Sequence, residues 1–293
     1  MSGIDLFIGI TSWNSSLFLP HCLDSINKAT NSCTKEVWVI DNQSSDSSVE
    51  LAKAKGANVL VEKCSQAQAL NKFVSMSNAR YTLMLHSDVI LLNADWFAIC
   101  TSKLDRETIL ISPEDIGCGP LSRPFGLGKP ESSFLLFDTK ALKKCRQIIC
   151  KKKWRLSYPY YAFNFMGSHI THDIPNRLNQ KGLGWHPMNV YASNYCEEVL
   201  FKPDTLPPVW SDELGHLKYG LGNFYGVDNT ITHYHNWYDR VISDTSIGVV
   251  NKTTRTFPSA FINEYSHRFL NDYREGNIDL PSDLSLKREP KAL

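Results

Sequence analysis

Tyr81-Thr82-Leu83-Met84-Leu85-His86-Ser87-Asp88-Val89-Ile90 is the stretch on which the reading of this chain turns. Its first half is apolar and β-favouring, the mark of a buried strand. The pattern then turns polar at a His-x-Asp pair. In an open parallel sheet, ligands gather just beyond the carboxyl ends of strands. A metal ligand or a sugar-binding carboxylate fits there at little cost to the core. His86 and Asp88, two residues apart on extended chain, point the same way and can face one cation or one diphosphate. The plainer reading is a polar turn closing a strand, and three residues alone favour it.

The preceding residues set the context. Asp5-Leu6-Phe7-Ile8-Gly9-Ile10-Thr11 is an almost continuous apolar run, as expected of a strand covered on both faces. A polar loop, Thr11 to Ser15, leads into a helical pattern with Leu19, Cys22, Leu23 and Ile26 on one side. Glu36-Val37-Trp38-Val39-Ile40 predicts a second strand, 47–55 a helix stopped by Gly56, and Asn58-Val59-Leu60-Val61 a third strand. Residues 66–79 have helical character, and the central strand follows. Repeated βα units predict a mainly parallel, right-handed α/β layer. At the second strand end, Asp41 suits the N–H of a uracil or guanine ring, and Trp13 offers an apolar face. Ser44, Ser45 and Asp46 read as plain caps. No GxGxxG follows the first strand, which argues against a dinucleotide site.

The totals exclude several classes. A chain of 293 residues buries roughly 75% of its unfolded surface and needs no staples. With 31 Lys+Arg against 30 Asp+Glu, it lacks the charge of a general nucleic-acid binder. The eight cysteines form no CxxC pair, so zinc ribbons and redox motifs are not expected. Neither a signal peptide nor a membrane span is legible. These features predict free thiols and a cytoplasmic location, with sequons such as Asn14-Ser15-Ser16 as chance matches.

Ile8 to Asn14, then Trp38 to Asp46, resemble the opening of an inverting GT-A glycosyltransferase of the large second family, in which a Thr-x-aromatic-Asn loop precedes a strand ending Asp-Asn-x-Ser-x-Asp. Gln68-Ala69-Leu70-Asn71-Lys72 is similar to that family's Gly-x-x-x-Asn-x-Gly segment without its glycines, and Leu83 to Asp88 to its Leu-x-Asn/Asp-x-Asp element. The resemblance covers residues 5–95. It implies donor contacts from Thr11, Ser12, Trp13, Asn14, Asp41, Asn42, Gln68, Asn71, His86 and Ser87. It also implies a divalent cation, Mn²⁺ or Mg²⁺, at Asp88. His86 departs from the family, where Asp or Asn is usual.

Further on, Ile109-Leu110-Ile111 and Ser133 to Phe137 read as strands flanking a Gly/Pro-rich loop, 112–132, long enough to close over a sugar. Asp138 caps a helix with Leu142, Cys145 and Ile149 on its buried side. Residues 143–155 are basic without a single acid. This run reads first as a solvated face, and second as a contact for an anionic acceptor or a membrane surface. His172-Asp173-Ile174-Pro175, then Arg177-Leu178 and Gly182, resembles the family's acidic-Asp block, with His in place of the first acid. The resemblance implies that Asp173 is the general base; alone, it reads as an N-cap. Cys196-Glu197-Glu198 and Ser211-Asp212-Glu213 are substitutes for that base. Thr232 to Trp237 resembles the family's late metal-site histidine, implying His233 or His235 as a ligand. A closing helix is expected over 257–273 and a polar tail over 281–293.

The expected organisation is one GT-A-like domain over 1–280, with a nucleotide-sugar half (1–95) and an acceptor half (96–280). The expected reaction is inverting transfer from a UDP-, GDP- or dTDP-sugar to a hydroxyl of a glycan, glycolipid or glycoprotein. The rivals are a sugar-nucleotide or glycan-binding protein without catalysis, suggested by histidine at 86 and 172, and a sugar nucleotidyltransferase. The latter lacks its Gly-rich, Arg/Lys-containing phosphate loop here.

Overall fold

The computed structural model describes residues 3–30, 33–115, 129–145, 170–171, 173–191, 219, 222–236 and 259–280. Among these, β1 (Leu6–Ser12), β2 (Lys35–Asp41), β3 (Asn58–Val61) and β4 (Tyr81–His86) pair in parallel in the order β3-β2-β1-β4. The expected parallel layer is therefore present. Helices α1 (Leu19–Ala29), α2 (Ser48–Ala54) and α3 (Gln66–Met76) connect them.

Burial explains the continuous apolar runs. Leu6, Ile8 and Ile10 of β1 pack with Leu19, Cys22, Leu23 and Ile26 of α1 in one core. Phe7 of β1 and Met84 of β4 enter a second core with Ala69, Leu70 and Phe73 of α3. Alternation thus sends successive side chains to opposite, equally apolar layers. Gly9 is required by this packing. A Cβ there would stand 2.4 Å from the Phe73 ring. Gly9→Ala is expected to cost ~1–3 kcal/mol by overpacking, read as a lower urea midpoint. Phe73→Leu should relieve part of that loss, and equal losses in both backgrounds would exclude the clash.

Beyond β4 the sheet becomes mixed. It continues through β8 (Phe134–Asp138), β6 (Thr108–Asp115), β9 (Gly184–Tyr191), β10 (Asn223–Val227) and β11 (Thr230–His235), ending on β5 (Val89–Leu91). β7 (Lys129–Pro130) pairs with β6. Two shorter elements are α4 (Trp96–Thr101) and α5 (Thr139–Lys144), and Asp138 does cap α5, accepting from the Ala141 N–H at 2.8 Å.

Several expectations change. The stretch 81–90 is two strands: β4 pairs with β1 and β8, whereas β5 pairs with β11. Residues 112–115 belong to β6 instead of a loop, because they pair with β9 and β7. α3 stops at Met76, since Ser77 leaves the helix at ψ 127. The closing helix is Ser259–Glu275. Among the described residues, Cys22, Cys33, Cys64, Cys100 and Cys145 are thiols outside any disulfide, and Cys22 Sγ donates to the His86 carbonyl. No helix among the described residues is long and apolar enough to cross a membrane. Residues 116–128, most of the basic run (146–155), His172, the acidic pairs at 197–198 and 212–213, and the tail 281–293 lie outside the described residues.

Candidate active site

The loops after β1 and β2 are fastened to each other. Asn42 donates its N–H to the Ser12 carbonyl (2.8 Å), and the Ser12 hydroxyl donates to Asp41 Oδ2 (2.9 Å). The Asn14 N–H donates to Ser44 Oγ (2.7 Å), and Asn14 Oδ1 accepts from the Ser45 N–H (2.8 Å). Asn14 has φ 47, a left-handed value that asparagine tolerates better than most residues. The result is a shelf at the carboxyl ends of β1 and β2, where an α/β sheet receives ligands.

The individual residues stand as follows. Asp41 is fully buried and also accepts from the Ser44 N–H and hydroxyl, at 2.7 Å each. Asn42 Oδ1 accepts from the Cys64 N–H (3.0 Å), holding the shelf to the segment after β3. Thr11 and Trp13 are half-buried on the shelf. The buried Ser87 hydroxyl donates to Ser15 Oγ (2.7 Å), joining the shelf to the turn after β4. Gln68 is engaged elsewhere: its Oε1 accepts from the Ser65 N–H in a reciprocal capping box at the start of α3. Asn71 Nδ2 donates to the Ala67 carbonyl one turn back (2.8 Å).

Beyond β4, three side chains converge. Nitrogens of His86 and His235 and an oxygen of Asp88 all lie within 4.8 Å of one another. Ser87 and Asp88 form a turn, so His86 and Asp88 meet through a bend instead of along an extended strand. β11 delivers His235 by pairing with β5, placing His235 opposite Val89. The Asn236 N–H donates to the Asp88 carbonyl (3.0 Å) and locks that turn. The His86 ring is steadied by Ser132 Oγ at 3.1 Å from Nε2 and by the Gln66 side chain.

Glu131 completes the centre and was not expected from the sequence. Its side chain is 5% exposed, and Oε1 lies 3.3 Å from His235 Nδ1. Oε2 accepts from the Tyr225 hydroxyl (2.9 Å). On its other side, His235 Nε2 lies 3.4 Å from Asp88 Oδ1. These separations are long for hydrogen bonds and suit ion pairs. Burial alone would depress the His235 pKa, but the Asp88 and Glu131 carboxylates raise it to about 9. Two buried carboxylates around one imidazole call for a positive charge, and the mixed N/O donor set fits a first-row divalent cation.

His233 stands outside this cluster. It is fully buried, stacked 4.5 Å from Phe134 and 5.2 Å from Tyr225. Its Nδ1 lies 3.1 Å from Thr232 Oγ1. Burial and the neighbouring His235 push its pKa down to about 3, so it is a neutral packing group. The bulge between Tyr225 and Gly226 lies opposite this segment.

Asp173 immediately precedes the short helix Ile174–Asn179 and is half-buried. Its side chain makes no capping hydrogen bond. The Thr171 hydroxyl donates to the Pro130 carbonyl (2.6 Å), tying this helix start to the residue before Glu131.

The sign of the His235 shift sets a pH dependence. A histidine whose pKa rises from 6.5 to about 9 on folding stabilises the metal-free protein fully below pH 6.5, and that contribution fades as pH rises towards 9. Cation binding needs the neutral ring. Apparent Mn²⁺ affinity is therefore expected to rise about tenfold per pH unit from 7 to 9, while the metal-free melting temperature falls. Mn²⁺ affinity that is flat over this range would remove His235 from the ligand set.

A parallel layer carrying a loop shelf, with a His/Asp centre beyond its last strand β4, is the architecture of a GT-A-type α/β protein. The pattern of Glycosyl transferase family 2 matches residues 7–155, just over half of the chain. The chain belongs to that family. No curated protein sequence matches it. Among solved structures it is similar to a mannosyltransferase from Pyrobaculum calidifontis in complex with GDP-Man and Mn²⁺. There the identity is 12% and the TM-score 0.45, over 63% of this chain and 55% of that one. It is also similar to glucosyl-3-phosphoglycerate synthase from Mycobacterium tuberculosis with Mn²⁺, UDP and glucosyl-3-phosphoglycerate. In that case the identity is 16% and the TM-score 0.39, over 48% of this chain and 58% of that one. The chain thus spans between 55% and 58% of the length of these two proteins.

Proposed function

We propose that this chain transfers a sugar from a UDP-, GDP- or dTDP-linked donor to a hydroxyl group of a glycan, glycolipid or glycoprotein, with inversion at the anomeric carbon. The observation carrying this reading is the His86–Asp88–His235 centre beside the β1–β2 shelf. His86, Asp88 and His235 would hold Mn²⁺ or Mg²⁺, which offsets the charge building on the departing diphosphate. Asp88 and Glu131 keep His235 in place, while Ser132 and Gln66 orient His86. Half-buried Trp13 faces the nucleoside part of the donor, and the buried Ser12, Asn14 and Asp41 hold the shelf beneath it. Asp173, beside the start of the helix Ile174–Asn179, removes the proton of the acceptor hydroxyl as it attacks.

The test is a thermal-shift panel of UDP-, GDP- and dTDP-sugars with and without Mn²⁺. A donor at 100 times its dissociation constant should add ~2.7 kcal/mol to stability. The reading requires at least one donor to bind better with Mn²⁺, and to release its sugar to water or an added acceptor with inverted configuration by NMR. A panel with no metal-dependent binder would remove it.

A further inference from the structure

At the opposite end of the sheet lies a cavity of about 620 Å³, within the range of small-molecule sites. Its walls are the start of β4 (Arg80, Tyr81), the turn before β6 (Asp105, Arg106) and α5 with its cap (Asp138, Lys140, Lys144). β4 runs from this cavity to His86, a distance of roughly 17 Å for an extended strand. The cavity is therefore separate from the candidate active site.

Four cationic side chains face two carboxylates here, and both carboxylates are engaged by backbone. Asp105 accepts from the Glu107 and Thr108 N–H groups (2.8 and 2.6 Å), bonds that keep it ionised. Asp138 accepts from the Ala141 N–H. Among the described residues, neither Arg80, Arg106, Lys140 nor Lys144 forms an ion pair, although nearby Lys103 pairs with Asp228 at 2.8 Å. Arg80 lies over the Tyr81 ring at 5.0 Å. Stacking of this kind occupies the guanidinium face and leaves its in-plane N–H groups for acceptors. The Asp5 carboxylate, which Arg80 helps to keep ionised, is itself bonded to Thr34.

We propose that this cavity is a second anion site, taking a phosphate monoester whose organic part rests against Tyr81 and the neighbouring apolar wall. Planar guanidinium groups match phosphate oxygens in pairs, and lysines add point charge. The ester could belong to a soluble metabolite or to a lipid, and the experiment separates the two.

The full-length protein is titrated with phenyl phosphate by calorimetry, beside the R80Q/R106Q double variant and Asp88→Asn. Saturable binding of one phenyl phosphate per chain is expected, weaker with added salt and ~10-fold or more weaker in R80Q/R106Q. Asp88→Asn should bind it unchanged. The four cations are exposed, so the double variant should keep its melting temperature and its Mn²⁺ affinity. Absence of saturable binding, equal binding by R80Q/R106Q, or weakening in Asp88→Asn instead would overturn the site. In a second arm, the protein is sedimented with phosphatidylcholine vesicles with and without phosphatidic acid. Capture by phosphatidic acid that R80Q/R106Q loses assigns a lipid phosphate. Phenyl phosphate binding with no capture assigns a soluble ester, and capture that persists in the double variant overturns the lipid source.

Discussion

Asp88→Asn is expected to lower Mn²⁺ affinity by ~10²-fold or more while leaving the fold intact. Carboxylates that merely hold a metal-bound histidine already account for 10–100-fold, and Asp88 is the carboxylate within the His86–Asp88–His235 centre itself. An amide of the same size keeps the turn but removes the charge facing both cation and imidazole. Titration followed by the EPR signal of free Mn²⁺ measures it directly. Glu131→Gln should show a smaller loss, ~10-fold or more, because Glu131 faces the outer nitrogen of His235 and the amide keeps its size there. If Asp88→Asn binds Mn²⁺ like the parent, or donor binding is indifferent to excess EDTA, the centre is not a metal site. His86→Ala should fall between these two, and a larger loss than Asp88→Asn would make His86 the principal ligand.

The second large effect concerns turnover. Asp173→Asn should bind donor and Mn²⁺ normally yet transfer sugar ~10²-fold or more slowly, since asparagine keeps the size and cannot take a proton. Asparagine keeps the size of the Asp173 side chain, so the melting temperature should barely move. A matching fall in stability and donor affinity would mark Asp173 as structural. Near-normal transfer, with collapse in Asp212→Asn or Glu213→Gln, would move the base to the later acidic pair.

The parallel half was legible because each of its early strands carries a signal that repeats. β1 and β4 are apolar on both faces, as burial between two cores demands. Asp88 stands where the sequence reading put it, just past the carboxyl end of such a strand. Glu131 was not legible, because it precedes its strand instead of following it. β8 runs antiparallel to β4, with Phe134 opposite Leu85. Its beginning, not its end, therefore lies beside His86. The usable signal was Glu131-Ser132-Ser133, polar residues directly before the apolar run Phe134 to Phe137. His233 and His235 were inseparable on spacing alone. Their roles diverge because one ring is stacked by Phe134 and Tyr225, while the other meets two carboxylates. Gln68 was expected at the donor, but helix capping claims it, and Gln66 reaches the centre instead.

The pairing of β5 with β11 has a bearing on how the protein is made. Asp88 emerges from the ribosome early, together with the strands that build the shelf, whereas His235 follows only after nearly all of the sheet has been synthesised. Contacts between segments so distant in sequence form late, once closure of the intervening chain has been overcome. A nascent chain that has reached α5 thus already owns the shelf and the parts of both cores between β1, β4, α1 and α3, but not the second imidazole or Tyr225. The full His86–Asp88–His235 centre therefore forms only after β11 has been made, and a chain stopped before β11 is left without it.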